Sequence, residues 1–269
     1  MRILTTKVVE KPWGADRLPA QFDVPESRRI GEIWFEPPAE MSDTLVKFIF
    51  TTEKLSVQVH PSDAQAAQMG ECDRGKEECW LVLHAEPGAT LGIGFVEEID
   101  APTMRRAALD GSIEAMMHWH PVKPGDFFYI PANTVHAIGA GVTLIEIQQN
   151  SDITYRLYDY GRPRELHLDK GIEVSSFAPY PGGKATTWPA CGIAELVNGP
   201  FFSAHLVTGA VDSTAWPAPE QPGLLIPIEG TYSAQDGSVA NGSAALIKQS
   251  GSLVTNDQAR AILVGQPVD

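Results

Sequence analysis

The stretch "KPGDFFYIPANTVHAIGAG", Lys123 to Gly141, carries a turn, a strand and a histidine in quick succession. Pro124 and Gly125 are turn residues, and the aromatic and β-branched run that follows favours an extended strand. Pro131 ends it, because proline has no N–H to give to a ladder. His136 then stands where a second short strand can begin.

Three other stretches pair naturally with this one. "EKLSVQVHPSD" begins at Glu53 and alternates: Leu55, Val57 and Val59 on one face, Ser56, Gln58 and His60 on the other. In "RGKEECWLVL" a turn at Gly75 leads into a strand carrying Glu78, and in "LIEIQQNSDITYRLYDYGR" Ile145 and Ile147 alternate with Glu146 and Gln148. Two histidines, a carboxylate and an amide oxygen make a compact N/O set for a divalent metal, zinc or another first-row ion. Each residue also has a plainer role. His60 before a proline suits a turn, Glu78 beside Glu77 suits a solvated edge, and Arg156 could pair with Asp152 or Asp159. His84, His118, His120, His167 and His205 read as structural or surface residues.

Short alternating or apolar runs dominate the remainder, among them "TLVKFIF", "FFSAHLV", "LLIPIEG" and "ARAILVG", punctuated by 24 Gly and 21 Pro. Such a pattern predicts a mainly β sandwich or barrel. One segment, "DAPTMRRAALDGSIEAMMHW" over about residues 100–119, has a capping Asp, an early Pro and helical spacing, with Gly111 splitting it into two short helices. Pro, Gly and small residues accumulate in "SSFAPYPGGKATTWPA", residues 175–190. The expected organisation is a first unit over 1–175 and a smaller, degenerate, metal-free second β unit over 190–269. Six of the seven histidines precede that boundary.

A net charge of -14 over 269 residues excludes a nucleic-acid or anionic-membrane partner that needs a basic surface. It leaves room for a phosphorylated small molecule where basic residues gather. Three cysteines without a CxxC pair fit a reducing compartment, and no apolar leader or span is visible. The expectation is a cytoplasmic protein, monomeric or homodimeric.

The pattern "GDFFYIPANTVH" resembles the second motif of the cupin superfamily, small β-barrels of jelly-roll type with a metal in the mouth, except that Asn133 replaces a usual Gly. Asn is among the residues that best tolerate a left-handed backbone. With "KPWG" at Lys11, "GEIWF" at Gly31, "SVQVHP", "GKEECW", "VHAIGAG" and "EIQQNSDITYRLYDYGR" in one order, the first 170 or so residues closely resemble mannose-6-phosphate isomerases of the cupin type, in their shorter bacterial form. The resemblance implies zinc held by Gln58, His60, Glu78 and His136, a catalytic Arg156, and active-site Lys76 and Glu146. Glu77, between Lys76 and Glu78, departs from the motif by an extra negative charge. The implied reaction is aldose–ketose isomerisation of mannose 6-phosphate and fructose 6-phosphate through a cis-enediol. Its rivals are another metal-dependent cupin enzyme, such as an iron dioxygenase, and a non-catalytic sugar-phosphate-binding cupin.

Overall fold

A computed structural model describes residues 1–22, 28–249, 251–256 and 258–268. Two antiparallel sheets face one another over the first two thirds of the chain. The larger has seven strands in the order Lys184–Ala185, Asp126–Ile130, Glu78–Ala85, Val142–Gln149, Thr44–Phe50, Ile30–Phe35 and Thr6–Ala15. The smaller has five: Tyr155–Tyr158, Val57–Val59, His136–Ile138, Thr90–Phe95 and Met117–Pro121. Between them lies a core that includes Trp13, Ile49, Trp80, Val82, Leu91, Ile93, Phe128, Ile138 and Leu144. This is the cupin-type fold expected from the sequence.

Alternation explains which residues fill which layer. Along Val142–Gln149, Leu144 faces the inter-sheet core, while Ile145 and Ile147 face outward. Along Thr44–Phe50, Ile49 points inward and Val46, Phe48 and Phe50 outward. Every residue of Thr44–Phe50 is therefore buried. The outward side chains meet Phe202, Ala204, Leu206, Ile226, Ile262 and Val264 of a third sheet. That sheet has six strands, in the order Arg2–Ile3, Ala245–Lys248, Pro222–Glu229, Arg260–Gly265, Ser203–Thr208 and Gly192–Asn198. Its far face packs on a core of its own, with Val207, Leu225, Tyr232, Ile247 and Leu263.

The outer face of the five-stranded sheet is covered by helices. Ala101–Asp110 starts at Asp100, whose carboxylate accepts from Thr103 N–H at 2.8 Å, and ends at Gly111 with φ 84°. Ile113–Met116 follows. The helical insertion stops three residues earlier than the spacing suggests, because Met117–Pro121 joins the sheet by pairing with Thr90–Phe95. A further helix, Leu168–Val174, adds Ile172 and Val174 to the same layer, against Val57, Val59, Tyr155 and Leu157.

The segment that begins at Glu53 differs from its sequence reading in one respect. The strand covers only Val57–Val59, so Leu55 sits outside it and turns into the inter-sheet core. Val57 and Val59 face the helices, while Gln58 faces the other way.

Asn133 has φ 74°, in the left-handed region, and its backbone N–H donates to His60 O at 2.8 Å. Asn133→Gly should therefore stay within about 1 kcal/mol of the parent stability. Asn133→Val, whose branched Cβ resists that conformation, should lose about 1–3 kcal/mol in denaturant unfolding. Equal stability for the two variants would show that the turn does not depend on that φ.

Candidate metal centre

Register places the polar side chains. On the five-stranded sheet Gln58 lies between His136 and Arg156 in antiparallel pairing, so the three share one face. On the facing sheet Glu146 lies between Lys47 and Trp80, and Glu78 lies beside Gln148. The two polar rows converge at one end of the barrel, on a cleft of about 670 Å³.

His60, Glu78 and His136 are buried together beside Gln58 and Lys76 of the cleft lining, with ligand atoms within 4.8 Å of one another. Glu78 Oε1 is 3.4 Å from His136 Nε2, and Glu78 Oε2 is 3.5 Å from His60 Nε2. Both rings are aimed by their other nitrogen. His60 Nδ1 lies 2.8 Å from Ile153 O, and His136 Nδ1 lies 2.9 Å from Thr134 O. A carbonyl only accepts, so each Nδ1 carries the proton and each Nε2 offers a lone pair to the cluster. Burial holds both imidazoles below their usual range, and Lys76 adds to the effect at His60. They are neutral, as ligands must be.

The cluster fits a cation on these grounds. His60 Nε2 and Glu78 Oε1 are buried without a hydrogen-bond partner, and Oε2 has only the Lys76 ammonium at 2.8 Å, a costly arrangement for a carboxylate that is fully hidden from water. Gln58 is adjacent: its Nε2 lies 3.2 Å from His136 Nε2, and Ser56 Oγ donates to Oε1 at 3.2 Å. A half-turn of the amide, which exchanges O and N at almost unchanged shape, would bring an oxygen to the cluster.

A chain of charges continues from Glu78. Lys76 Nζ stands 2.8 Å from Glu78 Oε2 and 3.7 Å from Glu146 Oε1, and Lys47 Nζ is 2.7 Å from the same Glu146 oxygen. Trp80 Nε1–H donates to Glu146 Oε2 at 3.0 Å. Burial would raise Glu146, but Lys47 and Lys76 outweigh it and hold the carboxyl at about 2. Burial would likewise lower Lys76, yet Glu146 and Glu78 keep it above the usual lysine range. Lys47 escapes a reading of "TLVKFIF" as a plain core strand, although a lone lysine at an inward position was the available signal.

Arg156 lines the cleft and donates to Glu165 O at 3.0 Å. The ion pair with Asp159 suggested by sequence does not form; Asp159 is taken by Arg162 and Arg164. Glu77 points away from the cleft to accept from the Tyr129 hydroxyl, which accounts for the extra charge in the motif. Lys11, Glu32 and Trp34 line the rim, with Lys11 Nζ 3.3 Å from Glu32 Oε1. His167, set aside on sequence, lines the cleft as well.

No protein-family model matches the chain. Over 246 residues it is 32% identical to a mannose-6-phosphate isomerase of Streptococcus mutans, covering 75% of this chain and 77% of that protein. It is 44% identical over 140 residues to mannose-6-phosphate isomerase ManA of Bacillus subtilis, spanning 48% and 43% of the two chains. The crystal structure of the mannose 6-phosphate isomerase from Bacillus subtilis superposes with a TM-score of 0.83 over 98% of both chains at 24% identity. A mutant of the phosphomannose isomerase from Salmonella typhimurium does so at 0.77 over 100% of both, at 12% identity. These two likenesses speak for the fold alone. The sequence match to the Streptococcus protein goes further, and on it the chain belongs to the mannose-6-phosphate isomerase family.

Proposed function

We propose that the chain interconverts mannose 6-phosphate and fructose 6-phosphate at a single zinc site made by Gln58, His60, Glu78 and His136. The carrying observation is the convergence of two neutral Nε2 lone pairs on a buried carboxylate whose Oε1 has no hydrogen-bond partner and whose Oε2 meets only Lys76. The family name of the relatives favours this isomerisation over an oxygen-dependent reaction or a silent sensor.

Moving a proton between C1 and C2 builds charge on carbon and on O1 and O2. A divalent metal supplies a Lewis acid for those oxygens. The chain's own groups handle the rest. Glu146 Oε1 is ionised at neutral pH and so open to a proton, although Lys47 and Lys76 make it a weak base while they stay paired with it, and Lys76, held as an ammonium, suits the role of donor to a sugar oxygen. Lys47 keeps Glu146 in place. Arg156, in register with Gln58 and bound to no carboxylate among the described residues, presents a planar cation to the developing enediolate.

The same reading assigns residues 1–175 to the catalytic unit and 190–269 to a metal-free second β unit whose task is packing. His205, its one histidine, lies on the strand Ser203–Thr208, buried in the six-stranded sheet. Cys72, Cys79 and Cys191 are free, and no described helix is long and apolar enough to cross a membrane. We place the protein in the cytoplasm, as a monomer or homodimer.

One zinc per chain is expected by elemental analysis, and His136→Ala should lose metal and turnover together while keeping its far-UV spectrum. Full zinc content in that variant would remove His136 from the ligand set. Glu146→Gln should retain zinc but lose about 10²-fold or more in kcat, with solvent deuterium no longer entering the sugar. Arg156→Lys keeps the charge and loses the fork. Its kcat should fall by about 10²-fold with KM little changed. A rise in KM alone would assign Arg156 to the phosphate instead.

A further inference from the structure

The cleft wall beyond Arg156 is formed by Arg164, Glu165, His167 and Lys170, and the proton chemistry above uses none of them. His167 is fastened to the strand Tyr155–Tyr158 in two places. Its backbone N–H donates to Arg156 O at 2.7 Å, and the Arg156 backbone N–H donates to His167 Nδ1 at 3.2 Å. Burial, with the Arg156 cation adding to it, holds this imidazole below its usual range, so the ring is neutral near pH 7. A neutral ring that accepts at Nδ1 carries its proton on Nε2. That Nε2 donates to no described protein group, and it is not among the buried partnerless atoms. It is an accessible donor without an acceptor, on the wall of the cleft.

Two flanking cations complete the surroundings. Arg164 Nε is 2.6 Å from Asp159 Oδ2, and Lys170 pairs with Glu71 on the surface. Apart from Arg156, the remaining cleft cations are Lys11, Lys47 and Lys76, which pair with the buried carboxylates of Glu32, Glu146 and Glu78. Resting on the isomerase reading, we propose that His167 Nε2–H binds the substrate phosphate; Arg164 and Lys170, each already paired with a carboxylate, only flank the site. Two considerations converge on this. The reacting carbons and the phosphate stand at opposite ends of a six-carbon chain, so the group that serves the enediolate does not also grip the phosphate. A tautomer locked by the backbone presents its donor without the entropy loss of ordering a long side chain.

The test uses the zinc-loaded protein, with mannose 6-phosphate as substrate and inorganic phosphate as competitive inhibitor. His167→Asn retains an acceptor near Nδ1 and removes the outer donor; His167→Gln retains a donor near Nε2 and gives up the inner acceptor. His167→Asn should raise KM and the inhibition constant of inorganic phosphate together by about tenfold or more, as for a lost hydrogen bond to a charged group, with a much smaller change in kcat. His167→Gln should stay within a few-fold of the parent in both. Unchanged KM and inhibition constant in His167→Asn would overturn the proposal. So would equal losses in both variants with a lowered Tm, which would make His167 structural. Line broadening of the 31P signal of inorganic phosphate by parent and variant proteins gives the same comparison without turnover. A parent protein that binds phosphate through His167 but does not isomerise the sugar would refute the isomerase reading and leave the phosphate site standing.

Discussion

The buried carboxylate of Glu78 is the constraint around which the barrel mouth is arranged. An ionised group shut off from water is tolerable only with compensating charge close by. Here Lys76 stands within ion-pair reach, and two imidazoles present lone pairs that repel the carboxylate unless a cation lies between them. Those rings cannot turn away, because Ile153 and Thr134 carbonyls hold their Nδ1–H groups. The protein has thus built a fixed electrostatic deficit at one point. Lys76, Glu146 and Lys47 extend it as alternating charges along the cleft wall. The depressed carboxyl of Glu146 follows from that alternation, as does the raised ammonium of Lys76.

Such a site needs rigid walls. They come from a sheet that is apolar on both faces over much of its area and so is gripped from two sides, by the five-stranded sheet and by the six-stranded one. The residues that matter chemically are confined to inward positions near one end of its central strands. Close packing elsewhere leaves them little freedom to relax, and preorganised dipoles act on a reacting group only when they stay put.

Much of this was legible in the sequence, for identifiable reasons. Period-two alternation places Gln58 and Glu146 on polar faces, and a left-handed Asn133 follows from the side chain's tolerance for that backbone. The helix at Ala101 announces itself through Asp100 and Pro102. The misreadings share a cause, since each depended on a neighbour distant in the chain. Leu55 leaves its strand because the inter-sheet core has a place for it. Met117–Pro121 is pulled into pairing by Thr90–Phe95. Lys47 looks like an intruder in an apolar run until Glu146 appears across the ladder. His167 has no motif at all; only its reciprocal bonding with Arg156 brings it to the cleft.

The six-stranded sheet also bears on how the molecule comes to be made. Arg2 pairs with Leu246, so the strand at Arg2 waits through the whole intervening stretch of chain before its ladder can form. Phe48 and Phe50 likewise wait for Phe202 and Val264 to cover them. A nascent chain that lacks the third sheet leaves Phe48 and Phe50 without that cover, an apolar surface prone to stick to its own kind. Such long-range closure exposes the chain to aggregation during synthesis whatever the strength of the finished core.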